Sequence, residues 1–585
     1  MPVSVVLDYT LAIPQPQRHL INVTLRIEGL TGSETSLQLP AWTPGSYLLR
    51  EYARHVRFVE AHTDGQALAI HKTDRLTWQV QTNGASAITV TYQVYGYELT
   101  VRTNHIDATH AHIVPAATLL YLPEYQDCRY NVHLELPSSW EVATGLPKLA
   151  DGCYGTNDLD ELMDCPFEVG ELRRYRFDVA EKAHEVVVWG HGNEDIEQVL
   201  ADTKQIVETE YAFWGDLPYD YYLFIVLLAG ANTYGGLEHR NSTSLLLPRH
   251  VFKPSKTYER AQGLIAHEFF HTWNVKRLRA APLGPFDYTR ENYTRLLWVM
   301  EGFTEYYTDL MLVRAGLMTP QRYLERLADD ISTLQNTPGR LVHSLSSSSF
   351  DAWIKFYRPD ESTPNTTVSY YLKGGLAALV LDMQLREQSN GQQSLDDLIR
   401  YLYQTYPITG PGIPEADGMQ QALQALTGSD WSDYFAKYID GLSELPYAEA
   451  FATVGLQMQW NYKDRDAQGN PRPQLGIRSK AVDGRVQITH VLDGGDADRA
   501  GLAAGDELIA LDGWRIDEDG LNKRLADYPI GATVQLSFFR RDELLHVPVT
   551  FSQPNPDFLS LTLVSQPSAS QRQQAATWLG TPLFK

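Results

Sequence analysis

The sequence predicts a multidomain protein with a β-rich N-terminal domain, a mainly helical middle and a C-terminal module of short strands. At 585 residues the chain is too long for one compact core, because domains usually hold roughly 100–200 residues. Hydrophobic residues alternate with period two up to about residue 170 and again after about residue 450, whereas the part between them has helical spacing. These two changes of period indicate the domain organisation.

The N-terminal domain is predicted over residues 1–170. Its runs VSVVLDYTLAI, LINVTLRIEGL and AITVTYQVYGYELTV are rich in Val, Ile, Thr and Tyr and are separated by turn residues. This pattern favours a β-sandwich. His110 and His112 alternate onto one strand face; packing or hydrogen bonding is the usual reason for such a pair, and metal binding is the less common one.

The middle domain is predicted over residues 171–450. A helical pattern near 197–215 precedes the strand YYLFIVLLAG, and a longer helix is expected from about Ser255 to Val275. Helical spacing resumes in ENYTRLLWVMEGFTEYYTDLMLVRAG after a loop rich in Pro and Gly. Further helices are expected at 319–335, 368–388, 394–405, 417–427 and 431–440.

The C-terminal module is predicted over residues 455–553, where LGIRSK, GRVQITHVL, DELIALDGW and ATVQLSFFR have the texture of short strands. The remaining 554–585 is rich in Ser, Gln and Pro and lacks a clear period. We therefore expect a loosely ordered tail there.

Charge, cysteine spacing and the lack of long apolar runs argue against several classes of protein. The formal net charge of −23 disfavours a nucleic-acid partner, since phosphate binding needs a concentrated basic surface. Cys128, Cys153 and Cys165 match neither a zinc knuckle nor a disulfide framework. The N-terminus resembles no secretory signal and the sequence contains no 18-residue apolar run, so a cytoplasmic protein without a membrane span is expected.

The motif His267-Glu268-Phe269-Phe270-His271 is an HExxH pattern within a helical stretch. Residues four apart on a helix are separated by about 40° and roughly 6 Å along the axis, so both imidazoles can bind one metal ion. Glu268 is rotated by about 100° from His267 and can polarise a metal-bound water. The pattern predicts a catalytic zinc site.

A catalytic zinc ion needs a third protein ligand and an open position. Glu301 is the candidate, with 29 residues between it and His271 on the next predicted helix. Glu305 lies one turn further on the same face and is the alternative ligand. We prefer Glu301 and expect Glu305 to orient a ligand histidine.

HEFFHTWN followed by EGFTEYY resembles the gluzincin metallopeptidases. More closely, PAWTPGSY, GGLEHRNST, HEFFHTWNVKRLR, SSFDAWIKFYRP and SYYLKGG together resemble the glycyl aminopeptidase family. That family fuses a β-rich N-terminal domain, a thermolysin-like α+β and mainly helical catalytic domain, and a PDZ domain. The resemblance implies one zinc ion per chain, hydrolysis of the N-terminal peptide bond and a preference for small residues such as Gly and Ala.

The resemblance also implies two further roles. Glu238 would hold the α-ammonium of a peptide and so demand a free N-terminus, with Gly235 and Gly236 of the same motif as part of the site that binds the substrate N-terminus. A strand-edge carboxylate facing solvent is the alternative for Glu238. Tyr371, rather than Tyr370, would stabilise the oxyanion, with buried packing as the alternative. His239 departs from the asparagine common in the clan. Glu268 would act as general base on the metal-activated water.

The segment Gln474-Leu475-Gly476-Ile477, followed by DADRAGLAAGDELIALDG, resembles a bacterial PDZ domain. By this resemblance, Leu475, Gly476 and Ile477 would form the loop that captures a terminal carboxylate while the peptide adds as a strand. Gln474 replaces the glycine common at the start of that loop. A docking module that binds no peptide is the alternative.

Two other functions stay open at this point. A zinc endopeptidase whose PDZ-like module delivers substrates would cleave peptides with a blocked N-terminus. A non-catalytic scaffold would bind C-termini and hydrolyse nothing. The aminopeptidase differs from both because it should cleave peptides with a free N-terminus and refuse those with a blocked one.

Overall fold

The computed structural model describes residues 5–517 and 520–584. Contacts divide the chain into two compact units. The first runs to Thr294 and includes Tyr307–Met318 and Ile399–Gly418; the second holds Arg295–Tyr306, Thr319–Leu398 and the chain from Met419 onward. Within the described ranges, no helix has both the length and the apolar composition needed to cross a bilayer.

The first unit begins with the predicted β-rich domain, which is confirmed. In β1 (Val6–Ala12) every second residue is buried, as period-two alternation requires, and Leu7, Tyr9 and Leu11 are fully enclosed. The domain contains a seven-stranded sheet in the order β13-β11-β1-β2-β8-β4-β5, a four-stranded sheet in the order β12-β14-β10-β9 and a three-stranded sheet in the order β3-β7-β6. The further elements are β2 (Leu20–Glu28), β3 (Glu34–Gln38), β4 (Val56–Thr63), β5 (Gln66–Leu68), β6 (Ile70–Lys72), β7 (Thr77–Gln81), β8 (Ala87–Tyr95), β9 (His105–Ile106), β10 (His110–Ile113), β11 (Arg129–Glu135), β12 (Glu141–Thr144), β13 (Tyr154–Thr156), α1 (Leu159–Asp164) and β14 (Phe167–Gly170).

A mixed five-stranded sheet follows, in the order β15-β16-β17-β19-β18. Its central strand β17 runs parallel to both neighbours and is almost wholly apolar, as expected of a strand covered on both faces. The edge strand β18 is antiparallel to β19 and packs against helix α3. The elements are β15 (Arg173–Val179), β16 (Lys182–Trp189), α2 (Ile196–Trp214), β17 (Tyr221–Ala229), β18 (Gly235–Glu238), β19 (Ser242–Pro248) and α3 (Ser255–Phe270).

Helix α3 ends earlier than predicted. We expected it to continue to Val275, but it ends at Phe270 and His271 is its C-terminal cap residue. Val275 has a φ of +135°, which no helical residue adopts. The chain therefore turns directly after the HExxH motif.

The second unit is mainly helical before residue 454, as predicted. Helix α6 has Thr319 as its N-cap, whose side chain accepts from the backbone N–H of Arg322. The helices are α4 (Leu297–Met300), α5 (Gly302–Arg314), α6 (Pro320–Gln335), α7 (Leu345–Phe350), α8 (Thr363–Thr366), α9 (Leu372–Gln388), α10 (Leu395–Thr405), α11 (Gly418–Thr427), α12 (Ser432–Tyr434), a π-helical turn (Phe435–Ile439) and α13 (Tyr447–Thr453). The later parts of α5 and α10 belong to the first unit.

The C-terminal module has its own apolar core, in which Leu508, Leu536 and Phe538 are buried. Its sheet has the order β21-β22-β23-β25-β26, with β24 paired to β23. The elements of this part are β20 (Leu456–Asn461), β21 (Ile477–Val482), β22 (Arg485–Val491), α14 (Asp496–Arg499), β23 (Glu507–Leu511), β24 (Trp514–Arg515), α15 (Gly520–Leu525), β25 (Thr533–Arg540) and β26 (Glu543–Thr550).

The expectation of a loosely ordered tail after residue 554 is wrong. Strand β27 (Phe558–Leu563) pairs antiparallel with β20, and helix α16 (Ala569–Leu579) follows it. Ser568 and Gln571 form a reciprocal capping box at the start of α16. The helix buries Trp578 and Leu579 completely, so a few apolar side chains order a segment that is otherwise polar.

We predict that Trp578→Ala lowers the free energy of unfolding by about 3–5 kcal/mol, the usual cost of truncating a buried tryptophan. The indole lies 5.6 Å from the Tyr323 ring and donates a hydrogen bond of 2.9 Å to the Tyr306 hydroxyl. Denaturant titration followed by circular dichroism measures the change. The exposed Gln573→Ala on the same helix is the control, and equal midpoints for the two variants would contradict an ordered C-terminus.

Candidate functional site

The two histidines of the HExxH motif point their ring nitrogens at each other. The Nε2 atoms of His267 and His271 are 3.1 Å apart. His271 lies at the helix cap but keeps helical dihedral angles, with φ −62° and ψ −15°. The four-residue spacing therefore still places both rings on one face, as the sequence predicted.

Each imidazole is held at its other nitrogen. The Nδ1 atom of His271 donates to the carbonyl oxygen of Asn274 at 2.7 Å, and Nδ1 of His267 lies 3.0 Å from the hydroxyl of Thr308. A carbonyl oxygen only accepts, so the His271 proton is on Nδ1 and its Nε2 presents a lone pair. Partners of this kind orient metal-binding histidines. Sequence reasoning missed both of them.

The pair fits a metal ion. Two imidazole Nε2 atoms at 3.1 Å need a cation or a proton between them, because facing lone pairs repel. The separation suits two Zn–N bonds of about 2.0–2.1 Å. Imidazole nitrogens are ligands that zinc accepts well.

Glu268 lies against the edge strand β18. Its side chain is buried, and a Cβ atom at Gly236 would overlap its carboxylate. Only glycine permits this approach of strand to helix. One ligand-type atom from each of Glu238, Glu268 and His271 lies within 4.8 Å of the other two. The predicted base and the predicted ammonium-binding carboxylate thus converge on the same histidine.

Glu238 is 4% exposed at the end of β18, which argues against the alternative of a carboxylate facing solvent. Gly45, in the N-terminal motif PAWTPGSY, packs directly on it: a Cβ atom there would lie 2.7 Å from both carboxylate oxygens. Gly45 also has a φ of +81°, which favours glycine. Among the residues that the structure describes, Oε1 of Glu238 accepts no hydrogen bond.

A second buried carboxylate, Asp164, lies near Glu238, and Lys276 supplies the balancing positive charge. The ammonium of Lys276 lies 2.7 Å from Asp164 Oδ1 and 3.9 Å from Glu238 Oε1. Burial raises the pKa of Asp164, but Lys276 and His239 outweigh it and lower the pKa to about 2. Lys276 is therefore bonded to Asp164, and Glu238 keeps an oxygen that carries no hydrogen bond.

The glycines predicted to bind the substrate N-terminus lie on β18. Gly235 and Gly236 pair with Leu246 and Leu245 of β19, and Arg102 of the N-terminal domain donates to the Gly236 carbonyl at 3.0 Å. His239, which replaces the expected asparagine, is buried with Nδ1 3.5 Å from Asp164. This histidine therefore lies with the buried pair Asp164 and Lys276 and not on an exposed strand edge.

Glu301 and Glu305 lie in the second unit. Glu301 was expected within a helix, but it is the cap residue between α4 and α5 and is 2% exposed. Glu305 is exposed in the first turn of α5. The ligand role of Glu301 and the orienting role of Glu305 stay predictions.

The two candidate tyrosines, at the start of α9, differ in exposure. Tyr370 is completely buried and packs on Phe356, whereas Tyr371 is half-buried and its hydroxyl is 3.3 Å from that of Tyr357. Desolvation and the nearby Glu301 carboxylate raise the pKa of Tyr371 well above its ordinary value. The Tyr371 phenol therefore stays protonated near neutral pH and can donate a hydrogen bond. The greater exposure of Tyr371 favours this residue over the buried Tyr370.

The predicted carboxylate loop of the C-terminal module precedes the edge strand β21. Gly476 has a φ of +73°, Leu475 is buried, and Ile477 begins the strand. The side chain of Gln474 donates to Asp557 at 3.2 Å. Strand β21 is mostly exposed along its length, so a peptide could pair with it. Peptide capture by this loop stays a prediction.

A helix that presents two histidines and a glutamate beside the edge strand of a mixed sheet defines the metallopeptidase class. The family model of the peptidase M61 N-terminal domain matches residues 8–171, that of the M61 glycyl aminopeptidase matches 260–377, and that of the PDZ domain matches 473–551. The chain belongs to the M61 glycyl aminopeptidase family and is a peptidase with a PDZ domain.

Solved structures and one curated protein are similar to this chain. An aminopeptidase N family protein from Idiomarina loihiensis is 32% identical, with a TM-score of 0.92 over 98% of this chain and 100% of that one. A mutant M1 zinc metallopeptidase from Deinococcus radiodurans is 14% identical, with a TM-score of 0.49 over 76% of this chain and 96% of that one. A putative serine protease, HhoA, from Synechocystis sp. is 30% identical over 101 residues, which are 17% of this chain and 25% of that protein. This chain therefore spans about a quarter of that curated relative.

We predict that Thr308→Val weakens zinc binding about 10–100-fold, because the His267 ring loses the hydroxyl that orients it. Competition with a chromogenic chelator measures the affinity. Thr333→Val is the matched control, since Thr333 is exposed and its hydroxyl donates to the Asp329 carbonyl within the same helix. Equal zinc affinity in both variants would show that Thr308 does not position the histidine.

Proposed function

We propose that the chain is a zinc aminopeptidase, which hydrolyses the first peptide bond of peptides whose N-terminus is free. The observation that carries this proposal is the convergence of Glu238, Glu268 and His271 within 4.8 Å. Glu238 brings a buried carboxylate oxygen without a hydrogen bond to the same place as the predicted base. A substrate ammonium beside Glu238 would therefore have its first peptide carbonyl close to Glu268.

His267, His271 and Glu301 would hold the zinc ion. The Nε2 separation of 3.1 Å supports the two histidines, and burial together with the HExxH-to-glutamate spacing supports Glu301. When bound, zinc supplies Lewis-acid polarisation of the carbonyl and lowers the pKa of a water molecule. Thr308 and the Asn274 carbonyl keep the two rings in the orientation that binding needs.

Glu268 acts as general base and then as general acid. Its carboxylate removes a proton from the attacking water and returns that proton to the amine that leaves. Gly236 matters here because any larger side chain on β18 would push the Glu268 carboxylate away. The reaction is therefore expected to depend on Gly236, although this residue takes no part in the chemical steps.

Glu238 selects substrates by their charge. A buried carboxylate binds an ammonium through a charge-assisted hydrogen bond, and an N-acetylated peptide has no ammonium to offer. The buried Lys276–Asp164 pair supports this role because Asp164 takes the nearest ammonium of the chain. Glu238 is left to recognise the ammonium of a substrate.

Tyr371 stabilises the transition state. Its phenol donates a hydrogen bond to the peptide oxygen as negative charge develops there. The partial exposure of Tyr371 supports this role, since its phenol can meet a substrate whereas the phenol of Tyr370 is buried. Removing one such donor typically slows catalysis by about 10²–10³-fold.

The proposal includes a preference for small N-terminal residues, which the size of the cavity beside Glu238 supports. The cavity there has a volume of about 50 Å³ and is lined in part by Trp42, Tyr47 and Phe286. That volume holds only a few water molecules. The cavity size supports glycine or alanine at the N-terminus, with the remainder of the peptide as the leaving group.

The test compares chromogenic amides of glycine and alanine with their N-acetylated forms. Wild-type protein should hydrolyse only the free-amine substrates, and Glu268→Gln should abolish hydrolysis while zinc stays bound. Zinc content is determined on the same samples by mass spectrometry. Glu259→Gln, nine residues earlier on α3, is the matched control and should keep full activity.

Each other outcome would point to a different function or a different base. Cleavage of the N-acetylated amides by wild type would identify an endopeptidase, with substrates delivered through the PDZ domain. Inert protein that binds no zinc would identify a non-catalytic scaffold. Hydrolysis retained by Glu268→Gln would exclude Glu268 as the base.

A further inference from the structure

Three histidines share one face of a short antiparallel ladder in the N-terminal domain. His105 of β9 pairs with His112 of β10, and paired residues project to the same side. His110 lies two residues before His112 and so joins that face. The three side chains are buried, with exposures of 7% for His105 and 0% for the others. Burying three imidazoles together costs free energy unless their ring nitrogens are bound to other groups.

Glu168 on the neighbouring strand β14 orients two of these rings. Its carboxylate is completely buried and lies 2.7 Å from Nδ1 of His110 and 3.1 Å from Nδ1 of His112. A carboxylate that binds two imidazoles accepts from both, which places each proton on Nδ1 and the lone pair on Nε2. In the part of the chain that the structure describes, neither Nε2 atom has a hydrogen-bond partner.

The space around His110 is shaped to hold that ring still. Trp189 stacks on it at 3.5 Å between ring centroids and 16° between planes. On the paired strand, Gly170 lies opposite His110, where a Cβ atom would be only 2.7 Å from the histidine Cβ. The ring is fixed by stacking and by Glu168, while its Nε2 remains available.

Asp107, in the turn between β9 and β10, completes the cluster. One of its oxygens, Oδ1, accepts from the backbone and hydroxyl of Thr109, both at 2.7 Å, and so fixes the turn. The other, Oδ2, lies 3.3 Å from Nε2 of His105. One ligand-type atom from each of His105, Asp107 and His110 lies within 4.8 Å of the other two. The Asp107 side chain is 29% exposed, which opens the cluster to solvent.

We propose that His105, Asp107 and His110 bind a second divalent metal ion of the zinc type, separate from the HExxH motif. Two imidazole nitrogens and one carboxylate oxygen are a donor set that zinc uses, with water at the open side. Glu168 is the carboxylate that typically supports a metal-binding histidine through its other ring nitrogen. The ion would cross-link β9, the turn and β10, which is a structural role.

The test counts zinc ions per chain by mass spectrometry after dialysis in metal-free buffer. Wild type should hold about two zinc ions. Asp107→Asn and His105→Gln should each hold about one, and His71→Gln, which removes an exposed histidine of β6, should hold two. Asp107→Asn keeps the Oδ1 acceptor of the turn, and His105→Gln offers an independent variant should either one fail to fold.

His271→Gln separates the two sites, so this test does not depend on the proposed peptidase reaction. This variant should retain one zinc ion, and its combination with Asp107→Asn should retain none. A chelator should lower the thermal midpoint of His271→Gln but leave the combined variant unchanged, because only a site that binds the folded state stabilises it. Zinc-free His271→Gln, or Asp107→Asn that keeps two ions, would overturn the second site and identify an ordinary hydrogen-bonded histidine cluster.

Discussion

The close approach of strand β18 to helix α3 is the constraint on which the site depends. It exists because Gly236 has no side chain where the Glu268 carboxylate lies. A second glycine, Gly45, permits the same approach of the N-terminal domain to Glu238. Two absent side chains thus allow Glu268, the proposed base, and Glu238, the proposed ammonium-binding carboxylate, to lie close to His271, and one of these contacts comes from the β-rich domain.

Gathering several carboxylates in a buried place is costly unless cations accompany them. Asp164 has its own cation in Lys276, with His239 beside it, and the low pKa of Asp164 follows from these two neighbours despite burial. Glu268 and Glu238 instead face the region of the histidines. Asp164 is therefore paired with the cation of the chain, whereas Glu268 and Glu238 are the carboxylates that we propose act on the substrate.

Local patterns predicted the part of the site that is local. Residues four apart on a helix share a face whatever the rest of the chain does, so the joint orientation of His267 and His271 followed from spacing alone. The same holds for the alternating burial of β1 and for the helix that begins after Thr319. The resemblance to known aminopeptidases supplied Glu238 and Tyr371, which spacing could not.

Long-range partners were beyond local patterns. Thr308 lies 41 residues after His267, and no periodicity connects a helical threonine to a distant imidazole. Gly45 meets Glu238 across most of the first unit for the same reason. The prediction of a loosely ordered C-terminal tail failed for a different reason. Ser568 and Gln571 form a capping box that the sequence contains, but the polar composition of the segment outweighed this signal. Composition describes an average, whereas order in this segment comes from Trp578 and Leu579.

The selection of a free N-terminus by Glu238 is the central claim, and the comparison of wild type with Glu238→Ala tests it most directly. The measurement is kcat/KM for an alanine amide and for its N-acetylated form. The account predicts that the variant loses at least about tenfold on the free-amine substrate, since a hydrogen bond to a charged group contributes roughly 1.5–3 kcal/mol, and that its preference over the acetylated form shrinks accordingly. An unchanged preference for the free amine would contradict the account and place the recognition of the N-terminus elsewhere.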